Sequence, residues 1–188
     1  MKKAIYLLLL GLVVLSVTAC TEKVQEGGPS QLETYFTSLD ELTSRANDIV
    51  EVDILDQQET VEYGGVVFTI SAAKVISAQK GNLTPDAVIK VLETGGVMSD
   101  GQEFKFNGIP VAKKKDKLFL FLEAYKGPIT QDAYVPIGVY QGKFKVEKDE
   151  VIQLAPSEEK LKDYKPVKKE EFKTKIKEKI INKDAAAK

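Results

Sequence analysis

The chain has 188 residues, 27 Lys and Arg against 28 Asp and Glu for a formal net charge of −1, no His, no Trp and a single Cys. Without imidazole there is no His-based triad, no His metal site and no imidazole acid–base chemistry, and one Cys supports neither a disulfide framework nor a thiolate zinc site. The charge is uneven, with 14 Lys and Arg against 21 Asp and Glu in residues 21–155 and 11 against 7 in residues 156–188, and an acidic body lacks the positive face that nucleic acid requires, so nucleic acid is not expected as a partner.

Met1-Lys2-Lys3 opens the chain with positive charge, and residues 4–17 follow as an apolar run broken only by Gly11 and Ser16. About fourteen residues suit a signal h-region and fall short of the roughly twenty that span a bilayer. Val17-Thr18-Ala19-Cys20 then supplies an aliphatic residue, two small residues and the only cysteine. All four positions resemble the lipobox of bacterial lipoproteins. The resemblance implies cleavage between Ala19 and Cys20, with Val17, Thr18 and Ala19 as the cleavage flank, and diacylglycerol thioether-linked to Cys20. It also implies a place on the extracytoplasmic face of the cell membrane, with the membrane as partner through that lipid. Each buried CH₂ contributes about 0.8 kcal/mol, and two chains hold a protein lastingly.

The domain organisation expected is a signal peptide over 1–19, a lipid-anchored flexible tether over 20–37, a β-barrel-like domain over 38–155 and a basic C-terminal helical segment over 156–188. Residues 21–31 are polar and contain Gly27-Gly28-Pro29-Ser30. As a coil, the roughly sixteen residues up to Phe36 span about 20–25 Å and hold the domain clear of the headgroups. Ser38-Leu39-Asp40-Glu41 is a capping box, and Leu39, Leu42 and Ala46 give a helix over 39–46.

Residues 49–55 alternate, with Val50, Val52 and Ile54 opposite Glu51 and Asp53, which predicts a half-buried strand. Residues 56–62 are polar, and Gly64-Gly65 marks a turn or bulge. Residues 66–78 predict a long strand bent near Ala72-Ala73, and turn residues occupy 80–86. A strand over 87–93 is expected to stop at Gly95-Gly96, and residues 98–117 predict a loop with a weak strand. Residues 118–125 (LFLFLEAY) predict the central strand, buried on both faces. Strands over 134–140, 143–146 and 151–154 follow, with Gly138 and Gly142 as bends. Residues 165–182 predict a helix with Pro166 in its first turn and Phe172, Ile176 and Ile180 on one docking stripe. Undocked, that helix is marginal: Lys173–Lys177 and Lys175–Lys179 repel, against one favourable pair, Glu171–Lys175.

These elements predict a mainly β (α+β) fold. The first architecture is a small OB-like β-barrel and the second a curled antiparallel sheet, with a short N-terminal helix and a C-terminal helix. The segments SLDELTSRANDIVEVDIL, AKVISAQKGN with VIKVLETGG, and KDKLFLFLEAY with YVPIGVYQGKF resemble small lipoproteins of Gram-positive bacteria. That resemblance spans residues 38–154 and implies an OB-like β domain and no activity.

Glu51, Asp53, Asp56, Glu59 and Glu62 form an acidic run that suits a cation in its oxygen chemistry but lacks EF-hand spacing; a solvated strand edge is the simpler reading. Tyr134, Tyr140 and Gln141 are the candidate ligand or partner contacts, since Tyr faces beside an amide stack on sugars or bond a peptide, although Tyr134 and Tyr140 share strand parity with Pro136 and Gly138 and a core is the simpler reading of that face. Lys113-Lys114-Lys115-Asp116-Lys117 shields the apolar strand that follows. No catalytic residue, metal or cofactor is expected. The functional expectation is a non-enzymatic binding or assembly module of the envelope, engaging an envelope protein or wall polymer. The alternative is a small envelope hydrolase using carboxylates or a Ser/Lys pair.

Overall fold

Residues 24–27 and 35–186 are described by a computed structural model; Val17, Thr18, Ala19, Cys20 and the apolar leader lie outside the described residues. In chain order the elements are β1 (Val24–Gly27), α1 (Leu39–Arg45), β2 (Asp48–Tyr63), β3 (Val66–Lys80), β4 (Val88–Val97), β5 (Glu103–Phe106), β6 (Lys117–Ala124), β7 (Ala133–Pro136), β8 (Lys143–Glu147), β9 (Glu150–Gln153), β10 (Val167–Lys168) and α2 (Lys169–Ala186).

The strands join in the order β1-β5-β4-β3-β2-β6-β8-β9-β10, while β7 pairs with both β4 and β6. The pairings β2–β3–β4–β7–β6 therefore return to β2. Closure rests on Lys90 opposite Ala133 and Val91 opposite Tyr134, and this contact is parallel. β1 is also parallel to β5. The fold is mainly β with a helix near each end, as expected, but its large sheet is mixed where an antiparallel one was expected.

β6 explains the core. Leu118, Leu120 and Leu122 join Val50, Val52, Ile54, Ala73, Val75 and Val91 in one cluster. Phe119 and Phe121 point the other way, into a second cluster with Leu39, Leu42, Ile49, Phe144, Phe172 and Ile176. The unbroken apolar run is thus a strand buried on both faces. α1 and α2 cover the second cluster, and the Phe172–Ile176 stripe docks as its period predicts, with Ile180 packed at the edge. In α1, Ser38 Oγ accepts from the Glu41 N–H at 3.2 Å. The Glu41 carboxylate reaches back to the Thr37 N–H at 2.8 Å, one residue earlier than a standard capping box.

Several boundaries differ from expectation. β2 continues through the polar residues 56–62 to Tyr63, paired with β3 throughout and turned at Gly64-Gly65, with φ of 60° and 77°. Much of this half of the hairpin is exposed, so no apolar alternation marks it. The β2–β3 ladder shifts register between Ile54 and Asp56, opposite Ala73 and Ala72, where the bend was expected. β4 passes through Gly95 and Gly96, which pair with Lys105 and Phe104. A Cβ on Gly96 would collide with the Thr69 hydroxyl, so the glycine serves close packing instead of ending the strand. The strand expected over 134–140 stops at Pro136. Pro166 lies outside α2, because Val167 pairs with Val151 and the Lys169 N–H donates to the Asp149 carbonyl before the helix begins. Val24–Gly27, expected within a flexible tether, is an edge strand on β5.

Candidate functional site

Antiparallel register sets Asp48, the first residue of β2, opposite Leu122 near the end of β6, and Ala124 opposite Tyr134 of β7. The β3–β4 loop, residues 81–87, lies at this same end of the sheet, since Ile49 pairs with Lys80. Together they form a cleft of about 780 Å³ lined by Arg45, Asn47, Asp48, Asn82, Leu83, Glu123, Ala124, Tyr125, Lys126, Tyr134 and Val135.

Local contacts hold its walls. Arg45, in the last turn of α1, pairs with Glu123 at 3.1 Å. Asp48 Oδ1 accepts from the Asn82 N–H at 2.9 Å and the Leu83 N–H at 3.4 Å. Gly81, at φ 91°, leaves room for that carboxylate. The Tyr125 hydroxyl accepts from the Ile129 N–H at 3.2 Å and closes the following loop. Tyr134 is half-buried against the inner cluster. Among the described residues the Lys126 ammonium and the side-chain amides of Asn47 and Asn82 make no ion pair or hydrogen bond, which leaves them available to a ligand. Arg45 and Lys126 match Asp48 and Glu123 in charge among the lining residues, so the charge of the cleft is balanced. Such a site suits a polar ligand of little net charge that offers both donors and acceptors.

Of the three contacts expected from sequence, only Tyr134 reaches this cleft. Tyr140 is 2% exposed and Gln141 fully buried. The Tyr140 hydroxyl donates to the Glu159 carboxylate and accepts from Asn107 Nδ2 at 2.8 Å. Burial first, and then the bond to Glu159, raise its pKa well above the ordinary tyrosine value. Gln141 Oε1 accepts from the Phe36 N–H at 2.9 Å, and its Nε2 donates to the carbonyls of Phe36 and Glu159 at 3.0 and 2.9 Å. Both side chains are spent on internal bonds. The burial of Tyr140 follows the core reading of that face, and after the turn at Gly138, φ 60°, Gln141 is buried beside it.

The acidic run disperses. Glu51 is buried and bonded to Lys169, Lys173 and Ser77, Asp53 faces Lys117 at 3.9 Å and Asp56 faces Lys114 at 4.0 Å. Among the described residues no group of three or more His, Cys, Asp or Glu is placed to hold a metal. The lysine cluster is shared among these acids and Glu103, which faces Lys113 at 3.7 Å.

One feature escaped the sequence argument. Glu93 and Lys143, each 3% exposed, form an ion pair at 2.5 Å. Glu93 accepts from the Ala112 N–H at 3.0 Å and Lys143 donates to the Pro110 carbonyl at 3.0 Å. The pair thus ties residues 110–112 to the strands. The signal was present in the alternation Ile89, Val91, Glu93, which assigns Glu93 to the inward face. Ser71, opposite Val91, is buried on that face with an unpartnered hydroxyl.

No family model, curated protein or solved structure matches the chain. No helix among the described residues is long and apolar enough to cross a membrane.

Proposed function

We propose that the protein is a lipid-anchored binding module of the bacterial envelope, non-enzymatic and held at the extracytoplasmic face of the cell membrane by diacylglycerol on Cys20. Its ligand is a wall polymer or a segment of an envelope protein, held in the cleft between α1, β6 and β7. The observation that carries the reading is the cleft itself. It combines two tyrosines, an unengaged ammonium, two unengaged carboxamides and balanced charge, beside a leader that matches the lipobox at all four positions.

The test is photo-crosslinking in intact cells, with a photoreactive phenylalanine analogue replacing Tyr134. One recurrent adduct, lost when Arg45 and Lys126 are both changed to Ala, supports the module. Adducts no different from those formed with the analogue at exposed Lys148, in the β8–β9 turn outside the cleft lining, refute it. Asp48 and Glu123 line the same cleft, which favours the carboxylate hydrolase as the second reading. Turnover of the captured polymer by purified protein, abolished in Glu123→Gln, would replace the first reading with that one.

A further inference from the structure

We infer that the molecule stands on the membrane by the end bearing the β2–β3 and β4–β5 turns, so that the cleft faces away from the bilayer. The cleft then takes a ligand from the wall or the aqueous space, not a membrane lipid. This rests on the proposed lipid at Cys20 and names the side from which the proposed site is served.

The chain itself limits where the anchor can be. β1 begins at Val24, four residues after Cys20. At no more than about 3.6 Å per residue, Cys20 lies within about 14 Å of the start of β1. β1 is parallel to β5 with Val24 opposite Glu103, and Glu103 is opposite Val97 at the end of β4. The anchor therefore enters beside the turn at residues 98–102. Phe68 of β3 is opposite Thr94 of β4, so the β2–β3 turn at Gly64-Gly65 lies at the same end. Tyr63 and Val97, each 54% exposed, are apolar side chains at these two turns. Tyr is suited to the headgroup layer, having an apolar body and a polar tip. Glu59, Glu62 and Asp100 share this end, and Lys105 and Lys113 beside it are paired with Glu103, so its seating depends on the lipid and the apolar tips and not on attraction to anionic headgroups.

The cleft occupies the other end. It gathers Asp48 at the start of β2, Asn82 just after β3 and Tyr125 just after β6. β2 has 16 residues. At about 3.3 Å per residue it runs roughly 50 Å, or roughly 35 Å in height at a 45° tilt. A headgroup in the supporting bilayer cannot reach across that distance.

Cys20 is the only cysteine, and lipid blocks its thiol, so any introduced cysteine is a unique label. Tyr63→Cys, Val97→Cys and Thr84→Cys are made at exposed positions, Thr84 lying in the β3–β4 loop beside the cleft. Each lipidated mature protein carries a donor dye and is reconstituted in phosphatidylcholine–phosphatidylglycerol vesicles bearing a headgroup acceptor. The expected result is strong energy transfer from positions 63 and 97 and several-fold weaker transfer from 84. Inserting about twenty Gly and Ser residues between Cys20 and Val24, a coil of about 25 Å, should erase the difference. Equal transfer from all three labels in vesicle-bound protein, or stronger transfer from 84, overturns the orientation and leaves the anchor intact. Protein that does not bind vesicles, with no diacylglycerol mass on its N-terminal peptide, overturns the anchor and the orientation with it.

Discussion

Glu51 shows how one side chain acquires a role that its place in the chain conceals. Alternation sets it opposite Val50 and Val52, on the face expected to be wet. Instead it is 5% exposed beneath α2, between Lys169 and Lys173 at 3.1 Å each, with a further bond from the Ser77 hydroxyl. Burial alone would raise its pKa, but the hydrogen bonds and charges of both lysines outweigh burial and hold it below the ordinary 4.5. A carboxylate depressed on folding stabilises the fold above its unfolded pKa, and that contribution is lost as pH falls through the folded value. Glu51→Gln should therefore cost about 1–3 kcal/mol at pH 7 in urea unfolding. The gap from wild type should narrow as pH falls below about 4.5. A gap that stays constant to pH 3 would place the acid sensitivity on other groups.

At the scale of elements, α2 is held by packing more than by its own sequence. Lysines recur at several i,i+4 spacings, as in Lys173–Lys177 and Lys175–Lys179, and an isolated helix with such repelling pairs is marginal. Phe172, with no exposed surface, sits with ring centroids 5.0 Å from Phe119, 5.1 Å from Phe144 and 5.6 Å from Tyr164. Phe172→Ala should cost about 3–5 kcal/mol by the cavity it leaves. Ile181→Ala, at a side chain 65% exposed, should stay within about 0.5 kcal/mol. Thermal unfolding of the two variants checks this, and equal effects would mean that the helix does not depend on its stripe. The outer half of β2 makes the complementary point. Residues 56–62 carry no apolar pattern, and their strand is fixed by thirteen residues of register with β3 from Ile49 to Tyr63 and by the Gly64-Gly65 turn.

Two apolar clusters lie on opposite faces of β6, one among the strands of the ring and one under the helices, and a third, smaller one gathers Ile70, Leu92 and Ala133. Every buried apolar residue of these clusters falls between Phe36 and Ile176. The lipid proposed for Cys20 thus holds the domain in place without contributing to its core. Cys20→Ala should move the protein from the membrane fraction to the soluble fraction and leave its melting temperature within about 2 °C, a change below about 1 kcal/mol for a domain of this size. Fractionation and calorimetry read the two effects separately. Loss of the folding transition would make the anchor part of the fold.

By itself the sequence determined what neighbouring residues decide: the Ser38 cap, the Gly64-Gly65 turn, the two-faced burial of β6, the Phe172–Ile176 stripe and hence a mainly β fold with a helix near each end. Each is a pattern within a few residues, where propensity, capping and side-chain period act directly. Tertiary structure alone decided the mixed sheet, since the parallel contact of β4 with β7 joins segments some forty residues apart. It also turned Gln141 inward, because side-chain direction after a left-handed turn depends on what the chain then packs against. Of the cleft only Tyr134 was legible beforehand. Arg45, Asp48, Asn82, Glu123 and Lys126 come from separate elements, and only strand register brings them together.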